Sequence, residues 1–316
     1  MHDVQQLSSD HPSVWAVVLN WNGLRDTARC LRSLRASSLC SSLSTVVVDN
    51  HSATGEADEL AEAFPWVVVL PQARNLGYAG GCNVGIEYAL SRGADYVLLL
   101  NNDAQVEVET IALLVAHCEG SPQVAAAGPL ITFPESDEVW SAGSRVSLWL
   151  GSTVMIGKGT SLSQHLRDRP RPAESLPGAC LLLRAAALRQ VGLLDERFFA
   201  YWEDVDICAR LRRAGWDVHL VPTARATHRK SASSGASGNV RLPPLASYYI
   251  ARNAFRFADN NLDGLRRRIF VGAQLLVRLP VFVVRKVAPE ARRHYLRGVF
   301  DGLRRRHGEY TGWMRE

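Results

Sequence analysis

The sequence predicts an α/β protein with a mostly parallel central sheet and a helical C-terminal extension, and three observations carry that reading. Four short, apolar, β-branched runs recur early, at Val14–Leu19, Thr45–Val48, Trp66–Leu70 and Tyr96–Leu100. The segments between them show helical periodicity, as in Leu24–Leu34 with Leu24, Ala28, Leu31 and Leu34, and in Gly80–Leu90 with Val84, Tyr88 and Ala89. Strand and helix in alternation make βαβ units, whose parallel strands are covered on both faces. Length and composition agree, because 316 residues with 47% apolar and 21% charged side chains suffice for one large α/β domain with an appendage and exclude a disordered chain.

Taken in order, the strand candidates end in polar residues. Asn20-Trp21-Asn22-Gly23 follows the first, Asp49-Asn50-His51-Ser52 the second and Asn101-Asn102-Asp103 the fourth, while the third runs into a longer loop, Pro71–Gly81. Ligands of such sheets sit beyond the carboxyl ends of the strands, so these residues are the first candidates for a site. Between residues 122 and 184 the alternation breaks into short strand candidates at Val124–Gly128, Val139–Leu150 and Cys180–Leu183. Helix returns at Asp204–Ala214 and stops at Gly215, and a strand candidate follows at Val218–Val221. Ser231–Gly238 has no periodicity and predicts a boundary between a domain over 1–232 and a region over 240–316, whose helices read as Ala246–Asn260, Leu265–Val287 and Ala291–Arg306.

Charge is unevenly spread. From Gly264 to Glu316 thirteen Lys and Arg face four Asp and Glu, a local +9 within a chain of net +5, which leaves the rest at −4. Such a tail predicts an anionic partner, and with few aromatics among its basic residues a membrane surface is preferred to nucleic acid. Ile269–Val287 contains Arg278, Pro280, Arg285 and Lys286, so it is too broken for a span of about 20 apolar residues. An interfacial helix fits better, with Ile269, Phe270, Leu275, Leu276, Leu279 and Val281–Val284 on its apolar side. The alternative is that these residues pack on the rest of the chain or on a second subunit in a homodimer. Met1–Ser13 lacks the basic and apolar regions of a secretory signal, which predicts a cytoplasmic protein, peripheral on the inner face of the membrane. The six cysteines are scattered singly, with neither CxxC pairs nor zinc-site spacing, and are expected as thiols.

The turn after the first strand is not GxGxxG, and no Gly-x4-Gly-Lys-Ser/Thr occurs, which weighs against a dinucleotide oxidoreductase and a nucleoside triphosphatase. Asp49 and Asp103 close the second and fourth strands and would point into one crevice. The oxygens of Asn101-Asn102-Asp103 suit a hard cation such as Mg2+, yet the same residues could be a turn and a helix N-cap. Arg74–Asn83 carries Gly77, Gly80 and Gly81 just before a helix, fitting either a phosphate-binding loop or an ordinary turn. In Phe198–Asp206 three acids, Glu203, Asp204 and Asp206, open a helix behind an aromatic cluster. The helix dipole explains the acids but not exposed aromatics, which suit the wall of a sugar site with a carboxylate as general base.

In combination these segments resemble the family 2 glycosyltransferases of the GT-A fold, closest to their rhamnosyltransferase-like branch. The matching stretches are Val-Val-Leu-Asn-Trp-Asn-Gly (17–23), Val-Val-Asp-Asn-His-Ser (47–52), Arg-Asn-Leu-Gly-Tyr-Ala-Gly-Gly-Cys-Asn-Val-Gly (74–85), Leu-Leu-Leu-Asn-Asn-Asp-Ala (98–104) and Trp-Glu-Asp-Val-Asp-Ile-Cys-Ala-Arg-Leu (202–211). The resemblance implies the GT-A nucleotide-diphospho-sugar transferase fold and an inverting transfer from a nucleoside-diphosphate sugar. The favoured donor is dTDP-L-rhamnose, ahead of UDP- or GDP-sugars, and the acceptor a lipid-linked or cell-surface glycan. It implies Asp49 at the nucleobase, Arg74 and Asn75 bordering the nucleotide, and Gly178 near the donor sugar. Asp103 and His228 would hold a divalent metal, Mg2+ or Mn2+, and Asp204 would be the catalytic base with Glu203 beside it. The same segments put Asn20, Asn22, Gly80, Asn83, Asn101, Asn102 and Trp202 around the donor. Asn-Asn-Asp stands where the family usually has Asp-x-Asp, which implies weaker metal binding. Two alternatives remain at this stage: a sugar-nucleotide nucleotidyltransferase, which should carry a glycine-rich, basic loop after strand one, and a non-catalytic membrane-surface binding protein, supported by the basic tail alone.

Overall fold

The computed structural model describes residues 12–53, 55–229, 243–284 and 288–310. Its first half alternates as the periodicity predicts: β1 (Val14–Asn20), α1 (Leu24–Arg35), β2 (Leu43–Asp49), α2 (Glu56–Ala63), β3 (Val68–Pro71), α3 (Gly77–Ser91) and β4 (Tyr96–Asn101). β1 runs parallel to both β2 and β4, and β2 to β3. Successive β1 side chains serve opposite faces. Ala16 and Val18 join a core with Leu31 and Leu34 of α1 and Leu60 of α2, whereas Val17 joins a second core with Ala79, Cys82 and Ile86 of α3. Both faces are therefore covered, which is why the strands read as apolar runs rather than as alternating ones.

Gly81 and Gly85 lie one turn apart on α3. A Cβ on either would overlap the Leu19 or Val17 side chain of β1. These glycines let the helix press onto the sheet, so this part of the glycine-rich stretch is neither a phosphate cradle nor a slack turn.

The second half is mixed. It comprises β5 (Ala104–Val106), α4 (Thr110–Glu119), β6 (Val124–Thr132), β7 (Val139–Ser141), the hairpin of β8 (Ser144–Ser147) and β9 (Ser152–Met155), β10 (Arg171–Pro172), β11 (Cys180–Arg184), α5 (Ala185–Val191), α6 (Glu203–Arg213) and β12 (Asp217–His228). β11 inserts antiparallel between β4 and β6, and β12 runs parallel to β6 and antiparallel to β5 and β10. The main path of the sheet is β10-β12-β6-β11-β4-β1-β2-β3. The pairing of β12 with β5 sets His228 opposite Ala104, beside Asp103.

Among the described residues four helices follow β12: α7 (Pro244–Asn261), α8 (Gly264–Ala273), α9 (Leu279–Val284), joined to α8 through a π-helical turn at Gln274–Arg278, and α10 (Pro289–Leu303). The boundary expected at Ser231–Gly238 lies outside the described residues. α7 does not stand apart from what precedes it: Ala254, Phe257 and Ala258 share a core with Phe198, Trp202 and Val205, capped by Phe270 of α8. Phe282 stacks on Tyr295 with ring centroids 3.9 Å apart, while Leu276 and Val284 are 79% and 80% exposed. The apolar residues of the tail thus divide, some packing on the chain and others facing outward. Among the described residues no helix is long and apolar enough to cross a membrane.

Candidate active site

The register of β1, β2 and β4 aligns Asn20 with Asp49 and Leu19 with Asn101, so the polar residues that end these strands share one edge. Behind that edge lies a buried network. Asn20 Nδ2 donates to Asp49 Oδ1 and Glu56 Oε2, both at 2.8 Å, and Thr27 Oγ1 donates to Asn20 Oδ1 at 2.6 Å. Asp49 also accepts from the Ser52 hydroxyl at 2.6 Å and the Ser52 N–H at 3.2 Å. Asn22 accepts from the Ala53 N–H at 2.8 Å, and Asn102 Nδ2 donates to Thr27 Oγ1 at 3.1 Å. Uncharged donors therefore satisfy two buried carboxylates and knit together the loops after β1, β2 and β4. Asn20, fully buried, orients Asp49 and does not face the crevice, which corrects its reading as a donor contact. Nearby, Asn50 Nδ2 donates to Asn75 Oδ1 at 2.9 Å, and Asn75 Oδ1 also takes the Gly77 N–H at 2.8 Å. Arg74 is exposed at this rim.

Asp103 and His228, the two residues that the resemblance assigns to a metal, lie side by side, with Oδ1 and Nε2 3.0 Å apart. The His228 ring lies edge-on to Trp140 at 4.6 Å. Asp103 enters the turn from β4 into β5, and the next helix begins only at Thr110, so the N-cap reading fails and the turn reading holds. Among the described residues Asn101 Oδ1 and His228 Nδ1 are buried without hydrogen-bond partners. A carboxylate, an imidazole and a spare amide oxygen in one place fit a hard divalent ion. No three His, Cys, Asp or Glu side chains gather among the described residues, so these side chains alone do not complete the shell of such an ion.

Asp204 stands in the first turn of α6. Its Oδ2 accepts the Gly178 N–H at 2.9 Å and its Oδ1 the Val205 N–H at 2.8 Å. Burial pushes its carboxyl up, and these N–H groups oppose the rise. Burial and then the Asp204 charge push Glu203 well above the usual carboxylate range, and its Oε2 is buried without a partner among the described residues. Gly178 is held from its other side by Tyr78, whose hydroxyl donates to the Gly178 carbonyl at 3.0 Å. The adjacent Ala179 carbonyl accepts the Asn101 N–H at 3.0 Å, so the Asp204 support and the Asp103 turn are neighbours. Tyr201, 37% exposed, is within electrostatic reach of both Glu203 and Asp103: burial, then Glu203 and Asp103, push its hydroxyl up to about 12.

Three more of the residues singled out from the sequence serve the scaffold instead. Trp202 is only 6% exposed; its indole N–H donates to the Ile250 carbonyl at 3.2 Å and its ring packs on Phe257 and Phe270. The aromatic cluster is therefore mostly core, and Tyr201 is its exposed member. Asn83 straps α3 to the chain before α6, donating to the Leu194 carbonyl at 2.9 Å and Glu196 at 3.0 Å. Gly80 is buried against Leu76 and Glu196. Conversely, Ser52, Glu56, Tyr78 and Trp140 were missed, because their importance depends on partners distant in sequence. The Asn-His-Ser after Asp49 was the one local hint, since a Ser three residues after an Asp can close a turn on it.

Residues 11–242 match the family model described as glycosyltransferase like family 2. The chain is 34% identical over 210 residues to an N-acetylglucosaminyl-diphospho-decaprenol L-rhamnosyltransferase of Mycobacterium tuberculosis, an overlap of 61% of this chain and 68% of the relative. It is 22% identical over 300 residues to a dTDP-rhamnosyl transferase of Shigella flexneri, covering 92% and 96% of the two chains. Among solved structures, TarS 1-349 of S. aureus superposes with a TM-score of 0.60 at 14% identity, covering 92% of this chain and 80% of that one. GalNAc-T7 with UDP, GalNAc and Mn2+ gives 0.60 at 18% identity, covering 76% of this chain and 48% of that one. These structural likenesses show a shared fold, the GT-A-like arrangement of a mostly parallel sheet between helices.

Proposed function

The chain belongs to glycosyltransferase-like family 2, and from that premise we propose that it transfers L-rhamnose from dTDP-L-rhamnose to a hydroxyl of a lipid-linked glycan precursor. Membership sets aside the nucleotidyltransferase and the non-catalytic alternatives. The observation that supports the proposal is a chain of contacts linking three groups: the Asp49 network reaches Asn102 through Asn20 and Thr27, Asp103 beside it pairs with His228, and the Asn101 N–H bonds the Ala179 carbonyl next to Gly178, whose N–H holds Asp204. The donor choice rests on the two relatives named for rhamnosyl transfer, and the acceptor class on the diphospho-decaprenol substrate in the name of one of them.

In the inverting reaction Asp204 takes the proton of the acceptor hydroxyl as that oxygen bonds to the anomeric carbon. The bond from that carbon to the diphosphate breaks on the opposite face, and dTDP leaves with the electron pair. The two backbone N–H groups fix the carboxylate's direction. Gly178, clamped between Tyr78 and Asp204, lets the backbone approach the sugar. Asp49, held by Asn20 and Ser52, presents its carboxylate to the nucleobase. A Mg2+ or Mn2+ ion on Asp103 and His228 would supply positive charge against the leaving diphosphate.

Leu276, Val277, Val281 and Val284, exposed on the C-terminal helices among basic residues, support a peripheral position on an anionic membrane at its cytoplasmic face, where lipid-linked acceptors lie. The enzyme is tested by a panel of nucleoside-diphosphate sugars, read as nucleoside diphosphate release with Mg2+, with Mn2+ and with chelator. Release from dTDP-L-rhamnose that needs both a polyprenyl-diphosphate-linked acceptor and the metal is the expected result. A preference for another donor would overturn the rhamnose assignment, and metal-independent turnover the role of Asp103 and His228.

A further inference from the structure

Arg252 and Asn253, adjacent in the middle of α7, are both essentially inaccessible to solvent. Neither touches the crevice. Asn253 Nδ2 donates to three carbonyls of the loop before α6: Phe198 at 2.8 Å, Ala200 at 2.7 Å and Tyr201 at 2.8 Å. Arg252 Nη2 donates to the Phe198 carbonyl at 2.7 Å and that of Arg197 at 3.2 Å, and its Nε donates to Asn253 Oδ1 at 2.8 Å. The guanidinium is sandwiched near the Tyr248 and Tyr249 rings, 5.4 and 4.9 Å from their centroids. Its Nη1 reaches the Gly308 carbonyl beyond α10 at 2.5 Å.

The loop so gripped is strained. Phe199, Tyr201 and Trp202 have φ of 65°, 69° and 78°, left-handed values that cost a non-glycine residue about 1–3 kcal/mol each and persist only where the surroundings over-determine them. Trp202 is the residue before α6 and Asp204 the second residue within it, so the loop's path sets the direction of the helix's first turn. Ordinary packing would need no buried arginine and amide aimed at the four carbonyls of Arg197, Phe198, Ala200 and Tyr201.

We infer that Arg252 and Asn253 are positioning residues for the transfer reaction, a clamp that holds the Phe198–Trp202 loop and thereby Asp204 and Tyr201 in the reactive geometry. The inference rests on Asp204 being the base. The helices after residue 243 therefore take part in turnover itself, beyond any role in location.

The test uses the full chain carrying Asn253→Ala, Asn253→Asp or Arg252→Lys, each beside Asp204→Asn. Asn253→Asp is nearly isosteric yet faces the three carbonyls with an acceptor, and Arg252→Lys keeps a charge and part of the donor set. For Asn253→Ala and Asn253→Asp, kcat for dTDP release should fall about 10²-fold, the size of effect that a displacement near 1 Å produces, while dTDP affinity by calorimetry stays within about twofold of the original. Arg252→Lys, whose single ammonium cannot serve Asn253 and the Arg197, Phe198 and Gly308 carbonyls together, should lower kcat by a smaller factor, about 10-fold, with dTDP affinity likewise kept. The acidic limb of the kcat profile should also move to lower pH, because a loosened loop readmits water to Asp204 and relieves the burial that raises its carboxyl. The other ionisable groups around Asp204 are Glu203, Asp206 and Cys208 on α6 and Tyr78 on α3; none of them is altered in these variants, and the limb is read on Asn253→Ala and Arg252→Lys because Asn253→Asp adds a carboxyl of its own. Full kcat in folded Asn253 variants, or a loss that merely tracks the folded fraction with the limb unmoved, would overturn the clamp. If Asn253→Ala fails to fold, Arg252→Lys decides by its kcat and its limb. Normal turnover by Asp204→Asn alongside impaired Asn253 variants would overturn the base assignment instead, and the two failures are thereby told apart.

Discussion

Asp204→Asn separates the chemical role of this carboxylate from its structural one. Gly178 N–H and Val205 N–H each bond a different oxygen of Asp204. Asparagine offers one acceptor oxygen, so one of these N–H groups would face an amide N–H instead, at a cost of about 1–3 kcal/mol. Against this, the substitution removes a negative charge from beside Glu203, whose carboxyl that charge helps to raise, so the net loss of stability should fall below that range. Turnover responds differently, since the amide cannot take the acceptor proton. Loss of a general base costs about 10²–10⁴-fold, equivalent to about 2.7–5.5 kcal/mol in the barrier. The assay pairs initial rates of dTDP release at saturating donor and acceptor with calorimetric dTDP affinity and thermal melting. The expected pattern is a folded protein with intact nucleotide affinity and kcat down by at least 10²-fold. A kcat within threefold of the original in a folded protein would refute the assignment.

Asp103→Ala should weaken dTDP binding in the presence of Mg2+ or Mn2+ and leave metal-free binding nearly unchanged; calorimetry with and without chelator checks this, and equal losses in both would refute the metal role. Glu203→Gln bears on pH. The Glu203 carboxyl is pushed up in the folded chain relative to the unfolded one, so its contribution is fully present below the ordinary carboxylate range and is lost as pH rises above it; thermal melting across that range should slope downward for the original and less so for the variant, and parallel slopes would refute the reasoning. Gly85→Ala drives a methyl into Val17 and should cost about 1–3 kcal/mol in urea unfolding, with no cost arguing against the close helix–sheet contact. For the membrane, truncation before Gly264 would strip Phe270 from Trp202, so the better variant is Leu276→Ser with Val284→Ser; sedimentation with anionic vesicles should drop while turnover on a water-soluble acceptor persists, and unchanged sedimentation, or a shift from dimer to monomer, would point to a subunit interface.

The first half of the fold was legible because each strand is buried on both faces and each run is therefore continuous in sequence. The second half was not. β11 pairs with β4 some 80 residues away, and nothing local in Cys180–Leu183 distinguishes an antiparallel insertion from another parallel strand. α4 is apolar almost all round and lacks the polar stripe that periodicity detects. At the site, Asp49, Asp103 and Asp204 stood out as carboxylates after apolar runs or at a helix start. Trp202 misled because an aromatic beside acids reads alike whether it lines a crevice or docks a later helix. Asn253 sits in a helix whose sequence shows only apolar and basic residues around it, and its task appears only once the carbonyls of Phe198, Ala200 and Tyr201 are seen to converge on it.

The antiparallel course of β11 also bears on the order in which the molecule can come together. The Asp49 network draws on residues 20–56 and closes short loops, at a small entropic cost. Asp204 depends on Gly178, Gly178 on β11, and β11 on partners in β4 and β6 that lie far back in the chain. The surroundings of Asp204 are thus a high-contact-order feature joined to the lower-contact-order Asp49 network. A chain emerging in sequence can build the Asp49 network before it can build the surroundings of Asp204, and under the proposed clamp the transfer reaction waits until α7 has closed over the loop.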